Sequence, residues 1–134
     1  MTQNQVLSKI LNLIPRQKIF LLSGPLGAGK TTLTKLIAKK LKIKETLTSP
    51  TFVLWQKYQF QLKKKKYFLN HIDLYRIRSQ DILKIGLKNE LKKKNNIFFI
   101  EWGEKLRSYL KRKKIKFREI KIKIVKNKRI YLIK

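Results

Sequence analysis

The spacing of apolar residues predicts the first three elements of the chain. Between residues 3 and 13 apolar positions recur at helical spacing, which predicts an amphipathic helix that ends before Pro15. Residues 18–23 contain a short continuous apolar run, as in a strand that is buried on both faces. Helical spacing returns over residues 30–42. The chain is therefore predicted to begin with a helix, a buried strand and a second helix.

The middle of the chain changes to strand patterns and short helices. Residues 52–60 and 67–74 are rich in aromatic and branched side chains, which favours a hairpin whose charged tip is the lysine-rich stretch 61–66. Short helical pieces are predicted over residues 79–85 and 88–93.

The last third predicts one more buried strand and a closing hairpin. Four apolar residues at 97–100 lead into Glu101, which places a carboxylate at the carboxyl end of a strand. A helix is predicted over 104–112, followed by a hairpin of strands 120–124 and 129–133. The pattern predicts an α/β fold, in one domain over all 134 residues, with a mixed, largely parallel central sheet and a C-terminal β-hairpin.

A glycine-rich loop joins the first predicted strand to the second helix. Residues 24–32 are Gly-Pro-Leu-Gly-Ala-Gly-Lys-Thr-Thr, which fits G-x-x-x-x-G-K-[ST] in a strand-loop-helix context. Glycines let several backbone N–H groups point at one place, where the helix start adds its own free donors. Polyphosphate is the natural ligand, so the motif predicts a P-loop NTPase that binds ATP. The alternative is a glycine-rich turn without a ligand.

The motif also predicts roles for its side chains. Lys30 supplies a cation for the β- and γ-phosphates, Thr31 supplies a hydroxyl for Mg²⁺, and Thr32 lies at the α-phosphate end. The predicted nucleotide-binding residues of this stretch are Gly24, Leu26, Gly27, Ala28, Gly29, Lys30, Thr31 and Thr32.

Hydrolysis needs carboxylates in addition to the loop, because the metal is held from a second side and a water is aimed at the γ-phosphate. The chain has seven acidic residues, and two of them, Asp73 and Glu101, end apolar stretches. Ligands of an open α/β sheet lie at such strand ends. Beside a phosphate loop, each acid is a candidate magnesium ligand, together with Thr31, or a group that orients the water, and both are predicted catalytic residues together with Lys30. The alternative is that each acid pairs with a neighbouring lysine.

Composition limits the remaining function classes. The chain has 35 basic residues and a formal net charge of +28, which suggests contact with nucleic acid. However, 28 of the basic residues are lysines, and isoleucine occurs 17 times against two alanines, as expected from drift toward AT-rich codons. Solvated lysines that result from drift and selected RNA contact are therefore both considered. The absence of cysteine excludes disulfides, cysteine zinc sites and thiol nucleophiles.

We expect a soluble, cytoplasmic protein without membrane contact. Its longest apolar runs are far shorter than the ~20 residues that a membrane span needs, and the N-terminus has no signal-peptide core. The single histidine, His71, excludes a histidine-rich metal site and is expected to make a structural hydrogen bond.

Five motifs, in this order and at this spacing, resemble the TsaE (YjeE) family. They are the phosphate loop and helix start at 24–34, Ser-Pro-Thr-Phe at 49–52, His-Ile-Asp-Leu-Tyr-Arg at 71–76, Ile-Gly-Leu at 85–87 and Ile-Glu-Trp at 100–102. The resemblance extends from the first helix to about Leu106. The chain departs from the family pattern at Gly103, where the family commonly has a proline, and in the short, basic segment 88–96.

The resemblance implies the ATPase component of the bacterial machinery that adds threonylcarbamoyl to an adenosine beside the tRNA anticodon, acting with TsaD and TsaB. It implies that Lys30 is the phosphate lysine and that Thr31 and Glu101 are magnesium ligands. Asp73 would be a second acid near the metal. Thr51 lies in the switch-like loop of the family, where its hydroxyl senses the γ-phosphate or metal or makes a local turn bond.

Several alternatives follow from the residues that surround these motifs. Trp102 covers the site or belongs to the core, and Arg76 reaches phosphate or a partner surface or pairs with an acid such as Asp81. Turnover of the isolated chain is expected to be slow, because no residue is identified as an arginine finger. The competing functions are a small-molecule kinase, which needs an acceptor pocket and a lid, and a basic RNA-binding module with vestigial nucleotide binding.

Overall fold

The structure is a computed structural model that describes residues 1–45 and 54–134. A six-stranded sheet forms its centre. The strands are β1 (Ile19–Ser23), β2 (Trp55–Leu62), β3 (Lys65–Asp73), β4 (Asn96–Glu101), β5 (Arg118–Val125) and β6 (Lys128–Ile133). The helices are α1 (Gln3–Leu13), α2 (Lys30–Lys40), α3 (Leu87–Glu90) and α4 (Arg107–Arg112), with 3₁₀ segments at Ser79–Ile85 and Gly103–Leu106.

The sheet is mixed, with parallel strands at its centre. The strand order is β2-β3-β4-β1-β5-β6, in which β1 pairs parallel with both β4 and β5, and β3 pairs parallel with β4. The two antiparallel pairs are the hairpins β2–β3 and β5–β6, which form the edges. The predicted α/β class, mixed sheet and C-terminal hairpin are confirmed.

Both faces of the sheet are covered by helical segments. Neighbouring side chains of a strand point to opposite faces, so a central strand contributes residues to both cores. Phe20 and Leu22 of β1 belong to a core that includes residues of α1 and α2. Ile19 and Leu21 belong to a second core with the 3₁₀ segments, α3 and α4. This burial on both faces explains why the central strands are continuous apolar runs. Among the described residues, no helix has the length and apolar character needed to cross a membrane.

The hairpin β2–β3 differs from the prediction at its tip. Residues 61–66 are predicted to form a long charged tip, but the strands continue to Leu62 and resume at Lys65. The turn contains only Lys63 and Lys64, with φ of 51° and 66°. Two residues with positive φ match the twist of antiparallel strands. Lysines are accepted in these strand ends because the hairpin lies at the edge of the sheet, where side chains reach water.

The second difference concerns the predicted helices after β3 and β4. The segments Ser79–Ile85 and Gly103–Leu106 are 3₁₀ helices, and only Arg107–Arg112 of the predicted helix 104–112 is α-helical. Ile82 and Leu106 still face the core, since each is 1% exposed, whereas Leu83 is 37% exposed. The apolar spacing locates these segments, but it does not separate one tight helical form from the other.

Gly103 lies where its 3₁₀ segment crosses β1. A Cβ atom at this position would lie 2.7 Å from the Cβ atom and 2.9 Å from the Cα atom of Leu21. Leu21 is buried and fixed in the central strand, so the contact has little room to relax. Any residue with a Cβ atom, proline included, would make this close contact with Leu21.

Replacement of Gly103 by alanine tests this close approach. We expect Gly103→Ala to lower the free energy of unfolding by about 1–3 kcal/mol, the range for an overpacked core. Urea denaturation measures the change, with Ser108→Ala on the exposed face of α4 as the control. Unfolding free energies that are equal for Gly103→Ala and wild type would contradict the tight packing of this segment on β1.

Candidate active site

The glycine-rich loop, residues 24–29, lies between the carboxyl end of β1 and the start of α2. Gly24 is close to β5, because a Cβ atom there would lie 2.8 Å from the backbone oxygen of Ile122. Gly29 is the N-cap of α2 and has a φ of 101°, a backbone conformation that favours glycine. The free N–H groups of the first turn of α2 therefore begin directly at the loop.

A cleft of about 450 Å³ opens beside this loop. It is bounded by the loop, the start of α2, the ends of β3 and β4, and the start of β6. Most of the predicted site residues line it: Leu26, Gly27, Gly29, Lys30, Thr31, Thr32, Asp73 and Glu101. Gly24 and Ala28 belong to the same loop without lining the cleft, and Ala28 is fully buried. Thr51 lies outside the described residues, so its role stays a prediction.

Thr31 and Glu101 are in direct contact across the cleft. The Thr31 hydroxyl lies 2.9 Å from Oε1 and 2.7 Å from Oε2 of Glu101, and it donates to the carboxylate. Thr31 is on the first turn of α2, whereas Glu101 is the last residue of β4. The contact brings together two of the oxygen donors predicted for magnesium.

His71 holds the same carboxylate from the side of β3. Its Nε2 atom lies 2.5 Å from Oε2 of Glu101, and the side chain is fully buried. Its Nδ1 atom has no hydrogen-bond partner within residues 1–45 and 54–134. The contact is the kind of structural hydrogen bond expected for His71, and it fixes the orientation of Glu101.

Asp73 lies beside Glu101 because the two residues are register partners at the ends of β3 and β4. Its Oδ1 atom accepts a hydrogen bond of 2.9 Å from the backbone N–H of Tyr75. Burial raises the pKa of Asp73 above its ordinary value, although this hydrogen bond opposes the rise. The neighbouring Glu101 carboxylate raises the pKa further.

Neither Asp73 nor Glu101 forms an ion pair with a lysine or arginine in the described part of the chain. By contrast, Asp81, Glu90 and Glu119 each do so. With 35 basic residues and only seven acidic ones in the sequence, partners are abundant. The geometry therefore disfavours the alternative that the two strand-end acids are structural partners of neighbouring lysines.

Lys30 is 5% exposed and folds back on the loop. Its Nζ atom donates to the carbonyl oxygens of Gly24, at 2.7 Å, and Pro25, at 3.0 Å. It also lies 4.2 Å from the centre of the Trp102 ring. Burial lowers the pKa of Lys30, and the nearby carboxylates, Glu101 first among them, oppose this shift. A cation held in this way is stabilised by the approach of an anion.

Trp102 both covers the site and packs against the core, the two alternatives that its sequence context left open. Its ring lines the cleft beside Lys30 and packs against Tyr75 in a tilted arrangement, with ring centres 5.0 Å apart and planes at 38°. It also packs at the edge of the second core. Trp102 has a φ of 57°, which marks the sharp turn that follows Glu101.

Two arginines also line the cleft. Arg76 forms no ion pair with Asp81 or another acid within the described residues, and Asp81 instead contacts Arg78 and Lys84, so the predicted pairing of Arg76 with an acid is wrong. Arg129, at the start of β6, was not among the predicted site residues. No local motif surrounds it in the sequence, and only the hairpin pairing and strand order bring it to the loop.

The donor set fits magnesium at a nucleotide site better than a metal site made by protein alone. No group of three or more His, Cys, Asp or Glu side chains suited to a metal occurs within residues 1–45 and 54–134. Magnesium at such sites is usually held by one or two carboxylates together with phosphates and water. Thr31, Glu101 and Asp73 offer hard oxygen atoms of this kind, and their roles as ligands stay predictions.

Sequence comparison assigns the family. Residues 2–130 match the family described as "Threonylcarbamoyl adenosine biosynthesis protein TsaE". The chain belongs to the TsaE family. Relatives named tRNA threonylcarbamoyladenosine biosynthesis protein TsaE occur in Nostoc sp., Treponema pallidum and Aquifex aeolicus, each 38% identical to this chain.

The alignments leave part of each TsaE relative unmatched. They cover 66% of this chain and 54% of the Nostoc protein, 73% and 69% for Treponema pallidum, and 72% and 66% for Aquifex aeolicus. The match thus spans about half the length of the Nostoc relative and about two thirds of the other two.

Asp73→Asn tests the partly buried carboxylate of Asp73. Because folding raises the pKa of Asp73, its ionised form destabilises the fold above that pKa, and the cost disappears as acid pH protonates it. We expect Asp73→Asn to be more stable than wild type at neutral pH, with a difference that shrinks as the pH falls toward the ordinary pKa of Asp. Urea midpoints over a pH series measure this difference.

Asp81→Asn is the matched control, because the pKa of Asp81 is shifted in the opposite direction from that of Asp73. Lys84 lowers the pKa of Asp81, so its contribution is present at neutral pH and is lost as the pH falls through that lowered pKa. The control is expected to be equal to or less stable than wild type at neutral pH. A loss of stability in Asp73→Asn at every pH would contradict the destabilising charge at position 73.

Proposed function

We propose that this protein is a magnesium-dependent ATPase of the P-loop type that acts in tRNA threonylcarbamoyladenosine biosynthesis. The observation that carries the proposal is the meeting of the Thr31 hydroxyl and the Glu101 carboxylate beside the phosphate loop, with Lys30 and Asp73 in the same cleft. The biosynthetic assignment is supported by the family and by the names of its relatives.

Different groups of the chain would bind the phosphates and the metal during hydrolysis. Backbone N–H groups of the loop and of the first turn of α2, together with Lys30, bind and orient the polyphosphate. Thr31 and Glu101 would hold Mg²⁺, and His71 keeps Glu101 in position. When bound, the metal neutralises phosphate charge during transfer.

Asp73 is the group best placed to orient the attacking water. It lies beside Glu101 at the strand ends, where its carboxylate would accept a hydrogen bond from the water and then its proton. The water oxygen attacks the γ-phosphorus, the bond to the β,γ-bridging oxygen breaks, and ADP and phosphate are the products. No covalent intermediate is required.

The proposed partners are TsaD, TsaB and, through that complex, tRNA. The pathway in the names of the relatives supports protein partners, and the net charge of +28 supports contact with an RNA phosphate backbone. We place this work in the cytoplasm, where tRNA is modified and used. We expect slow turnover by the isolated chain, because partners would complete the site. Thr51 keeps its proposed role as a sensor of the γ-phosphate or metal.

Lys30→Ala tests the phosphate site. We expect it to reduce ATP hydrolysis by about 100-fold or more, because the variant loses the cation that stabilises the transferring phosphoryl group. Phosphate release is measured with and without TsaD and TsaB, and Lys35→Ala, on the exposed face of α2, is the control. Retained turnover in Lys30→Ala would reject the assignment. A phosphorylated acceptor in place of free phosphate would favour a kinase.

Glu101→Gln tests the metal site while it keeps the size of the side chain and an oxygen for Thr31. We expect the magnesium concentration needed for half-maximal activity to rise by about 10-fold or more, because the ligand loses its charge. The control is Glu90→Gln, which alters an acid that is paired with Lys57 and Lys93 outside the cleft. A magnesium titration unchanged by Glu101→Gln would contradict this role of Glu101.

A further inference from the structure

The hairpin β2–β3 carries an aromatic side chain that belongs to neither core. Among the phenylalanines of residues 1–45 and 54–134, Phe68 is the only one outside both hydrophobic cores. Its neighbours along β3, Tyr67 and Leu69, are buried in the core shared with α1 and α2. Phe68 therefore points to the opposite face of the sheet, where it is partly exposed.

The second core covers this face at the other end of the hairpin. Trp55 and Ile72 pair in register near the carboxyl end of β3 and belong to the core with the 3₁₀ segments. Toward the turn, the same face carries Gln59 and Gln61 on β2, and both side chains are exposed. Gln59 is the register partner of Phe68. Phe68 thus lies where the helical cover ends and the sheet faces water.

Lysines surround the ring of Phe68. The Nζ atom of Lys57 lies 5.0 Å from the ring centre, and that of Lys66 lies 5.4 Å from it. Lys57 also contacts Glu90 at 3.2 Å, and Lys93 contacts the same carboxylate at 2.9 Å. The hydrogen bond from Lys93 is the main cause that lowers the pKa of Glu90 to about 2, so this acid stays ionised. It offsets one of the three lysine charges, and two remain.

A partly exposed aromatic ring among lysines suits single-stranded nucleic acid. Bases that are outside a duplex stack on aromatic side chains, while their phosphates attract lysines. A hydrophobic protein interface would require a larger apolar patch than one ring. A second copy of this chain is disfavoured by the net charge of +28, because like charges repel. The chemistry of this face therefore favours an RNA with unpaired bases.

We propose that the exposed face of the hairpin formed by Lys57, Gln59, Lys66 and Phe68, named here the Phe68 face, binds single-stranded RNA. One base stacks on the ring of Phe68, and the flanking phosphates draw the ammonium groups of Lys57 and Lys66 away from the ring. The inference rests on the tRNA partner of the proposed function, whose modified adenosine lies beside the anticodon in a loop of unpaired bases.

The Phe68 face lies away from the candidate active site. Phe68 precedes Asp73 by five residues along β3, which corresponds to about 17 Å at the rise of a β-strand. Strands β3 and β4 run parallel and end at the cleft with Asp73 and Glu101. The start of β3 therefore lies toward the opposite edge of the sheet. RNA and nucleotide bind without competition, and changes to the Phe68 face leave nucleotide affinity unchanged.

Phe68→Leu tests the stacked base, because it removes the aromatic ring and keeps an apolar side chain. Fluorescence anisotropy measures binding of two labelled RNAs, a hairpin with the sequence of a tRNA anticodon stem and loop, and a duplex of the same stem without the loop. We expect Phe68→Leu to weaken binding of the hairpin by about 10-fold and to leave binding of the duplex unchanged. Phe68→Tyr, which keeps the ring, is expected to bind both RNAs as wild type does.

The double variant Lys57→Ala/Lys66→Ala tests the phosphate contacts. It is expected to weaken binding of the hairpin and to reduce the slope of log affinity against log salt by about 1.4, as for two lost contacts to a single strand. The matched control is Lys35→Ala/Lys39→Ala, which removes two exposed lysines from α2 on the opposite face of the sheet. Equal weakening by the two double variants would reduce the binding to net charge and overturn the proposal.

Both tests keep the outcomes distinct. The lysine variant alters exposed side chains, so it tests the face independently of any change in stability that Phe68→Leu causes. Wild-type binding of the hairpin by Phe68→Leu would overturn the proposal, and so would equal affinity of the wild type for hairpin and duplex. Weaker binding of TsaD and TsaB by Phe68→Leu with unchanged RNA binding would assign the face to a protein partner and overturn it too.

Calorimetry with ADP and magnesium separates this inference from the proposed function. Phe68→Tyr and both double variants are expected to bind ADP as wild type does. Weaker binding of ADP by Lys57→Ala/Lys66→Ala would contradict the separation of the two sites. A wild type that binds the RNA hairpin but neither ADP nor ATP would overturn the proposed ATPase and leave the Phe68 face standing.

Discussion

The hydrogen bonds between the Thr31 hydroxyl and the Glu101 carboxylate are the interaction on which the rest of the site depends. The two residues are 70 positions apart in the sequence, yet they lie within 2.9 Å of each other. They meet because β4 pairs parallel with β1, with Glu101 beside Leu22, so both strands end at one edge of the sheet. Parallel pairing thus brings the start of α2 and the end of a distant strand into one oxygen-lined cleft.

The electrostatics of this cleft favour a ligand that carries both signs of charge. Burial lowers the pKa of Lys30 and raises that of Asp73, so each charged form is less stable than it would be in water. Glu101 is held by Thr31 and His71 without a lysine or arginine partner in the described residues. Phosphate oxygens would stabilise Lys30, and a magnesium ion would stabilise the acids. These charged groups therefore lower the stability of the free protein, and a bound ligand would restore it.

Local sequence patterns predict the contiguous parts of the site, and pairing over long range determines the rest. The loop at residues 24–29 is predictable because its glycines, lysine and threonine are neighbours in the sequence. The contact of His71 with Glu101, and the position of Arg129 over Gly29, depend on strand order and register. Apolar runs that are buried on both faces specify neither the strand order nor the register.

A crystal structure of the protein grown with ADP and manganese in place of magnesium tests the central claim most directly, because anomalous scattering identifies the metal. The account predicts a diphosphate bound by the backbone of residues 24–31 and a manganese peak beside the side chains of Thr31 and Glu101. A diphosphate bound away from this loop, or a metal peak remote from both side chains, would contradict it.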